Sequence, residues 1–157
     1  MKVVHLIDVP EVIPEIARLF IEEWGLWYGP DGPGDAESDL RKCNSRNTLP
    51  LCLVALDDQG KFLGTAALKG RSVGDDLAPG PWLAAMLVVG KHRGAGVGTA
   101  LVRAIEKEAL QLGLRTIYTS TDVADTIMVR HGWRLIGESE SLRGTARVYR
   151  RDLGEEC

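Results

Sequence analysis

The segment of the chain with the clearest chemical potential is glycine-rich and covers residues 90–99. It reads Gly90-Lys91-His92-Arg93-Gly94-Ala95-Gly96-Val97-Gly98-Thr99, after a predicted strand at 82–89 and before apolar residues at helical spacing. A strand that enters a glycine-rich turn and then a helix presents free backbone N–H groups and the positive end of a helix dipole. The pattern therefore predicts a site for an anionic group such as a phosphate.

Spacing separates the phosphate-binding motifs that this segment could represent. A Walker loop ends in Gly-Lys-Ser/Thr, whereas here Thr99 follows Gly98 directly. A dinucleotide fingerprint requires GxGxxG and an acidic residue about 20 residues later, whereas this chain has GxGxG and then Thr119-Ser120-Thr121. The Walker motif is therefore excluded, and the dinucleotide motif is weakly matched.

A third phosphate-binding motif fits the segment. Arg93-Gly94-Ala95-Gly96-Val97-Gly98 resembles the Arg/Gln-x-x-Gly-x-Gly/Ala signature of the GNAT superfamily of acetyl-coenzyme A-dependent N-acetyltransferases. The resemblance runs from about residue 82 to 138, where His131-Gly132-Trp133 is similar to the family's Leu-Gly-Phe element. It implies an enzyme, a GNAT-type N-acetyltransferase that moves an acetyl group from acetyl-coenzyme A to a primary amine of a small molecule or peptide N-terminus by direct attack. The alternatives are a coenzyme A-binding module with reduced or lost transferase activity, and a nucleotide-binding domain of another kind.

The resemblance also implies which residues bind the acetyl-coenzyme A co-substrate. Backbone N–H groups of residues 92–98 would hold the pyrophosphate, and the side chain of Arg93 or Thr99 would add donors. Backbone groups of Met86 and Val88 would bind the pantetheine arm like a short extra strand, and the Val88 N–H would donate to the oxyanion. No metal ion is expected. The implied cofactor-binding residues are Met86, Val88, His92, Arg93, Gly94, Ala95, Gly96, Val97, Gly98 and Thr99.

The proton donor for the leaving thiolate is where the chain departs from the family pattern. The usual acid is a tyrosine in a Tyr-x-x-x-Gly-Phe context, and here that position is Met128, whose thioether donates no proton. Tyr118 is the nearest replacement in sequence, with a buried hydroxyl as the competing interpretation. The candidates for the base are Glu22 or Glu23, Asp122, or a chain of waters, although each carboxylate also fits a solvated helix face or a helix cap. The thiol of coenzyme A has a pKa of about 8.5, so its thiolate can leave near neutral pH with help from water.

Acidic residues are concentrated in the two regions that flank the acceptor site in this family. A cationic amine would be attracted to this negative charge, and we therefore expect an amine acceptor. The residues concerned are Glu22, Glu23, Asp31, Asp35, Glu37, Asp39, Asp75 and Asp76.

The elements that must position these residues form an α/β or α+β pattern in the order βα(α)βββαβαββ. Apolar patterning predicts strands at 3–7, 51–56, 61–68, 82–89, 115–119, 133–139 and 146–151, and helices at 12–24, 36–46, 97–112 and 122–130. A capping box of Asp8 and Glu11 is predicted before the first helix, and Asp122 is predicted to cap the last. The resemblance implies a GNAT-like fold, with a central, mostly antiparallel sheet that is splayed at the cofactor site and has helices on both faces.

Length and composition are typical of one globular domain over residues 1–157, with 45% hydrophobic and 26% charged residues. A net charge of −3 argues against nucleic-acid and membrane partners. The longest apolar run, 83–89, is far shorter than the roughly 20 residues of a membrane span, and the first residues form no signal-peptide apolar region. Cys43, Cys52 and Cys157 lack CxxC spacing and are interpreted as reduced thiols in a cytoplasm. Dimers are common in the family, and a homodimer remains open.

Overall fold

One mixed sheet of seven strands forms the centre of the computed structural model, which describes residues 1–90 and 96–154. The strands are β1 (Lys2–His5), β2 (Leu51–Leu56), β3 (Phe62–Lys69), β4 (Trp82–Val88), β5 (Thr116–Thr121), β6 (Arg134–Ser141) and β7 (Gly144–Asp152). Their order across the sheet is β1-β2-β3-β4-β5-β7-β6. Strands β4 and β5 are parallel and the other neighbouring pairs are antiparallel, so the predicted mostly antiparallel mixed sheet is confirmed.

Within residues 1–90 and 96–154, five α-helices accompany the sheet. They are α1 (Ile13–Glu23), α2 (Gly25–Tyr28), α3 (Ala36–Lys42), α4 (Val97–Gln111) and α5 (Asp125–Arg130). Every element of the predicted order is present, and α2 is an additional turn after α1. Among the helices of the described residues, none has the length and apolar character needed to cross a membrane.

Strand β2 shows how helices cover both faces of the sheet. All of its residues are buried. Because successive side chains of a strand point to opposite faces, the continuous apolar run predicts burial on both sides. Alternate residues join two different core clusters, one built with α4 (Leu51, Leu53 and Ala55) and one built with α1 and α3 (Cys52, Val54 and Leu56). The prediction of helices on both faces is therefore confirmed.

The capping box predicted for the first helix is wrong. The Asp8 carboxylate accepts a hydrogen bond from Arg46 rather than capping a helix. The chain instead makes two short 3-10 turns, Leu6–Asp8 and Pro10–Val12, before α1 begins at Ile13. The residue before α1 makes no side-chain capping bond. A tertiary ion pair thus replaces the local interaction that the spacing predicts.

Helix α5 also begins later than predicted, at Asp125 rather than Asp122. The hydroxyl of Thr121 accepts the backbone N–H groups of Val123 and Ala124, at 3.1 and 2.8 Å, and so organises the turn between β5 and α5. Asp122 makes no capping bond because its carboxylate binds Arg143 instead. Asp122 therefore contacts Arg143, in the turn between β6 and β7, and does not cap α5.

Candidate active site

A bulge in β4 changes the course of this strand next to the glycine-rich segment. Between the pairs Thr65–Leu87 and Ala67–Ala84, β4 contains one more residue than β3. Ala85, within the bulge, has a φ of 53°. A left-handed backbone at a residue with a Cβ costs about 1–2 kcal/mol, and such strain occurs most often at functional sites. The bulge redirects the strand immediately before the candidate cofactor-binding residues.

Strands β4 and β5 separate after only two residue pairs and leave a cleft between them. The paired residues are Trp82 with Tyr118 and Leu83 with Thr119. The cleft has a volume of about 380 Å³ and is lined by residues 83–88 of β4 and residues 119–124 at the end of β5. Its remaining walls come from the start of α4, from α5 and from the end of α1. The sheet is thus open between β4 and β5, where the resemblance implied a splay.

Helix α4 points its N-terminus at this cleft. Gly96 precedes the helix with a φ of 83°, and its carbonyl accepts the first helical hydrogen bond, from the N–H of Ala100 at 3.0 Å. The first turn contains no acidic residue, so no carboxylate within it offsets the positive end of the helix dipole. Buried Val97 packs into the core, whereas Gly98 lines the cleft. The predicted phosphate-binding residues His92, Arg93, Gly94 and Ala95 lie outside the described residues.

Gly98 lies where the start of α4 meets the walls of the cleft. A Cβ at this position would lie 3.0 Å from Cδ1 of Ile127 and 3.9 Å from Cγ2 of Val88. Both of these residues also line the cleft. The glycine therefore keeps a narrow space open between the end of β4, α5 and the helix N-terminus.

Thr99 takes part in a chain of polar contacts that fixes the tautomer of His131. Arg103 Nη2 lies 2.9 Å from Nδ1 of His131, and Nε2 of the same ring lies 3.2 Å from Oγ1 of Thr99. A guanidinium only donates, so Nδ1 accepts and Nε2 carries the proton that it donates to Thr99. Burial, and then the charge of Arg103, lower the pKa of His131. The Thr99 hydroxyl accepts the hydrogen bond from Nε2. Its own proton therefore remains available to donate to another acceptor near the start of α4.

A guanidinium joins two carboxylates in the wall of the cleft. Arg143, in the turn between β6 and β7, donates from Nε and Nη2 to both carboxylate oxygens of Asp122, at 2.9 and 2.7 Å. Its Nη1 donates to Oε2 of Glu23 at 2.7 Å and to the Glu23 carbonyl at 3.0 Å. The hydrogen bond to Asp122 is the largest cause that raises the pKa of Arg143. All three residues line the cleft.

Among the candidates for a base, Glu22 is less favourably placed than Glu23 and Asp122. Glu22 lies on the exposed side of α1, where it accepts a hydrogen bond from Arg18 at 3.1 Å. It is not among the residues that line the cleft, whereas its neighbour Glu23 is. The geometry therefore favours Glu23 and Asp122 over Glu22 as the carboxylates of the site.

Most of the other acidic residues counted near the acceptor site are engaged elsewhere. Asp35 caps α3, and Asp39 accepts the Tyr28 hydroxyl at 2.7 Å. Glu37 and Asp75 form ion pairs with arginines four residues away in sequence. The charge that faces the described cleft therefore comes from few residues rather than from the whole acidic set.

The two candidate positions for a proton donor have different surroundings. Tyr118 is buried against Trp82, with ring centroids 5.5 Å apart, and is not among the residues lining the cleft. Met128 does line the cleft, and its side chain is only 1% exposed. The thioether therefore occupies the wall where the family pattern has a tyrosine, and the described lining contains no tyrosine hydroxyl.

Comparison with protein families identifies the chain. Residues 13–130 match the family model described as the acetyltransferase (GNAT) family, which is well over half of the sequence. The chain belongs to the GNAT acetyltransferase family. The matched range includes the bulge in β4, the N-terminus of α4 and every lining residue of the cleft except Arg143. The resemblance carried by the glycine-rich segment is confirmed.

Solved structures of GNAT enzymes agree with this chain over almost its full length. An aminoglycoside 6'-N-acetyltransferase complexed with coenzyme A has a TM-score of 0.77 at 15% identity and covers 100% of this chain and 99% of its own. The aminoglycoside 6'-N-acetyltransferase from Enterococcus faecium has a TM-score of 0.76 at 16% identity, over 100% and 99%. A GCN5-related N-acetyltransferase from Kribbella flavida has a TM-score of 0.74 at 24% identity, over 97% of both chains. At these identities the likeness shows the GNAT fold. No curated protein sequence matches the chain.

Membership in the GNAT family establishes acetyl transfer as the chemistry and acetyl-coenzyme A as the acetyl donor. The described residues fit such a ligand at one specific point. Gly98 lines the cleft and has no side chain where a Cβ would press on Ile127, so no side chain of this residue separates the helix N-terminus from the cleft. Arg143 also lines the cleft, and sequence reasoning did not select it because it lies in a hairpin turn 120 residues from Glu23.

Proposed function

We propose that this GNAT enzyme acetylates a primary amine of a small molecule or of a peptide N-terminus, and that the amine attacks the thioester directly. The observation that carries the proposal is the cleft between β4 and β5, whose lining includes Gly98 at the N-terminus of α4 and the acidic residues Glu23 and Asp122. The helix N-terminus suits a phosphate-bearing donor, and the two carboxylates suit a basic acceptor.

The proposed binding of the acetyl donor, acetyl-coenzyme A, depends on backbone groups. Backbone N–H groups of residues 92–98 would bind the pyrophosphate, with the hydroxyl of Thr99 as a further donor, because an anion is stabilised at a helix N-terminus. Met86 and Val88 line the cleft beyond the bulge. Their backbone groups would align the pantetheine arm, and the N–H of Val88 would stabilise the oxyanion that develops at the thioester carbonyl.

The proposed binding of the acceptor amine depends on Glu23 and Asp122. Both carboxylates accept hydrogen bonds from Arg143 and line the cleft. We propose that they orient the amine and accept its proton through water. Met128 supplies no proton for the leaving thiolate, so that proton comes from solvent. This is chemically feasible because a thiol pKa of about 8.5 lets the thiolate leave near neutral pH.

Direct attack is also supported by the state of the described thiols. Cys43 and Cys52 are buried, and neither lines the cleft. Burial raises the pKa of Cys43 and raises that of Cys52 to about 12. Since the thiolate is the reactive form, these cysteines are poor carriers for an acetyl group. Their reduced, unbridged state also supports our proposal of a cytoplasmic location.

The experiment that tests the proposal is a transfer assay with a panel of primary amines and peptides. Release of coenzyme A and the mass of the N-acetylated product are both measured, because thioester hydrolysis alone also releases the thiol. We expect N-acetylated product and no acetylated protein by intact mass. Acetylated protein that forms product on addition of amine would contradict direct attack.

Met128 favours a second candidate, a coenzyme A-binding module with reduced or lost transfer. A buried thioether at the usual position of the acid removes one source of rate acceleration. The same assay separates the two candidates. Binding of coenzyme A without product from any amine in the panel would favour the module, and turnover would exclude it.

A further inference from the structure

Thr121 lies in the wall of the cleft, at the end of β5. Because the side chains of a strand alternate between its two faces, Thr121 shares a face with Ile117, which belongs to the core cluster built with α4. Met128 belongs to the same cluster and also lines the cleft. Thr121 is therefore on the side of the sheet where the family pattern has its tyrosine.

Hydrogen bonds in the turn after β5 place Thr121 close to Met128. Oγ1 of Thr121 accepts the N–H of Ala124 at 2.8 Å, and the carbonyl of Ala124 accepts the N–H of Met128 at 3.2 Å. One residue and two hydrogen bonds thus connect the hydroxyl to the position where a thioether replaces the usual acid. Thr121 supplies a hydroxyl to this part of the wall.

The turn also determines how this hydroxyl can donate. A hydroxyl has two acceptor lone pairs and one proton. Oγ1 of Thr121 accepts the N–H groups of Val123 and Ala124, at 3.1 and 2.8 Å, so both lone pairs are engaged. The proton therefore points away from these two N–H groups. The accepted hydrogen bonds also polarise the O–H bond and make it a stronger donor.

The preceding hydroxyl on the same face of β5 is used within the sheet. Thr119 is 2% exposed, and its Oγ1 donates to the carbonyl of Leu83 at 2.8 Å. Leu83 and Thr119 form the last residue pair between β4 and β5. Thr121 lies two residues beyond this pair, where the two strands have separated and the cleft is open.

We propose that Thr121 is a catalytic residue whose hydroxyl donates a hydrogen bond to the sulfur of coenzyme A as this sulfur becomes a thiolate. The inference rests on the proposed function, because it concerns the leaving group of the same reaction. When the carbon–sulfur bond breaks, its electron pair stays on sulfur, and a donor already in place stabilises the developing charge. Thr121 keeps its own proton, because an alcohol is a much weaker acid than a thiol, and the thiolate takes its proton from solvent.

The test measures the thiol of coenzyme A bound to the chain, by the ultraviolet absorbance of the thiolate during a pH titration. In the wild-type complex we expect the pKa of the bound thiol to lie below the value of about 8.5 for a free thiol. Thr121→Val removes the donor and should raise the pKa of the bound thiol by about 1 relative to wild type. With a primary amine, kcat should fall by about tenfold, whereas the Kd of coenzyme A at neutral pH should change little.

Two further variants separate the donated hydrogen bond from the role of Thr121 in the turn. Thr121→Val also removes the acceptor for Val123 and Ala124, so its free energy of unfolding in urea should fall. Thr121→Asp keeps an acceptor for these N–H groups but has no proton to donate, so the pKa of the thiol should rise without that loss of stability. The two variants share the loss of the donor, and only one adds a charge. Thr121→Ser keeps donor and acceptor and should retain the wild-type values.

Ser120→Ala is the matched control. Ser120 is the neighbouring residue on the opposite face of β5 and also lines the cleft, so this variant removes a hydroxyl from the same wall without changing Thr121. The charged residues of the described lining, Glu23, Asp122 and Arg143, are present in every variant. The control should keep the wild-type pKa of the bound thiol.

The outcomes distinguish this inference from the proposed function. An unchanged thiol pKa in Thr121→Val and Thr121→Asp, or an equal rise in Thr121→Ser or Ser120→Ala, would overturn the role of Thr121. Acetyl transfer by the wild-type protein would stand in either case. The expected rise in a protein that acetylates no amine would support the contact with sulfur and overturn the proposed function. Failure of the wild-type protein to bind coenzyme A would overturn both.

Discussion

The variant Gly98→Ala should weaken the binding of coenzyme A strongly while changing the stability of the fold little. In Gly98→Ala, the added Cβ lies 3.0 Å from Cδ1 of Ile127 and 3.9 Å from Cγ2 of Val88. The closer atom is the end of a flexible side chain, so a shift of a few tenths of an ångström relieves the contact. Alanine is favoured over glycine in a helix by about 1 kcal/mol. We therefore expect the free energy of unfolding without ligand to change by no more than about 1 kcal/mol.

Binding of coenzyme A should respond very differently to Gly98→Ala. The methyl group enters the wall of the cleft at the start of α4, between Ile127 and Val88. Displacement of a phosphate from one charge-assisted hydrogen bond costs about 1.5–3 kcal/mol, which weakens Kd by roughly tenfold to a hundredfold. A ligand at about 100 times its Kd stabilises a protein by about 2.7 kcal/mol, and tenfold weaker binding reduces this to about 1.4 kcal/mol.

The assay is thermal unfolding with and without coenzyme A at one fixed concentration. The wild-type midpoint should rise by several degrees, and the rise should fall to half or less in Gly98→Ala. Gly70→Ala is the control, because a Cβ at this exposed loop position has open space around it and the residue lies outside the cleft. An unchanged response to coenzyme A in a stable Gly98→Ala protein would refute the assignment of the donor site to the N-terminus of α4.

Three other predictions concern the residues that hold the fold around the cleft. Glu106 is buried and accepts the indole N–H of Trp133 at 3.0 Å. Glu106→Ala should therefore reduce the free energy of unfolding, measured by denaturation with guanidinium chloride, by about 3 kcal/mol. A loss below about 1 kcal/mol would contradict this expectation. The Arg147 hydrogen bond lowers the pKa of Asp125 to about 2, so ionised Asp125 stabilises the fold above about pH 4 and loses this effect as the pH falls toward about 2. The instability of Asp125→Asn in urea should therefore be large at about pH 7 and smaller at about pH 3, and equal values would count against the ion pair. Cys52, with its pKa raised by burial to about 12, should resist alkylation in the native state and react only on unfolding; rapid labelling of its peptide in native protein would contradict the structure.

Elements with a strong local pattern could be predicted from the sequence. Strand β2 begins and ends where its apolar run does, at Leu51–Leu56, and α4 spans Val97–Gln111 against a prediction of 97–112. The glycine-rich segment was sufficient to indicate the family. These features depend on neighbouring residues, which a sequence displays directly.

Features that depend on distant partners could not be predicted in this way. Asp8 and Asp122 have the spacing of helix caps, but arginines from other parts of the chain bind them instead. The bulge at Ala85 lies in an uninterrupted apolar run with no glycine to mark the positive φ. Arg143 is an ordinary hairpin residue until the fold brings it to Glu23. The cluster of Arg143 with Glu23 and Asp122 is therefore a property of the tertiary structure.

The measurement that tests the central claim most directly is thermal unfolding of the wild-type protein with acetyl-coenzyme A, coenzyme A, ATP or NAD, each at about 1 mM. A ligand present at about 100 times its Kd should raise the midpoint by a few degrees for a chain of this size. The cleft between β4 and β5 and the N-terminus of α4 predict a shift with the two coenzyme A species only. An equal shift with ATP or NAD, or no shift with either coenzyme A species, would contradict the account.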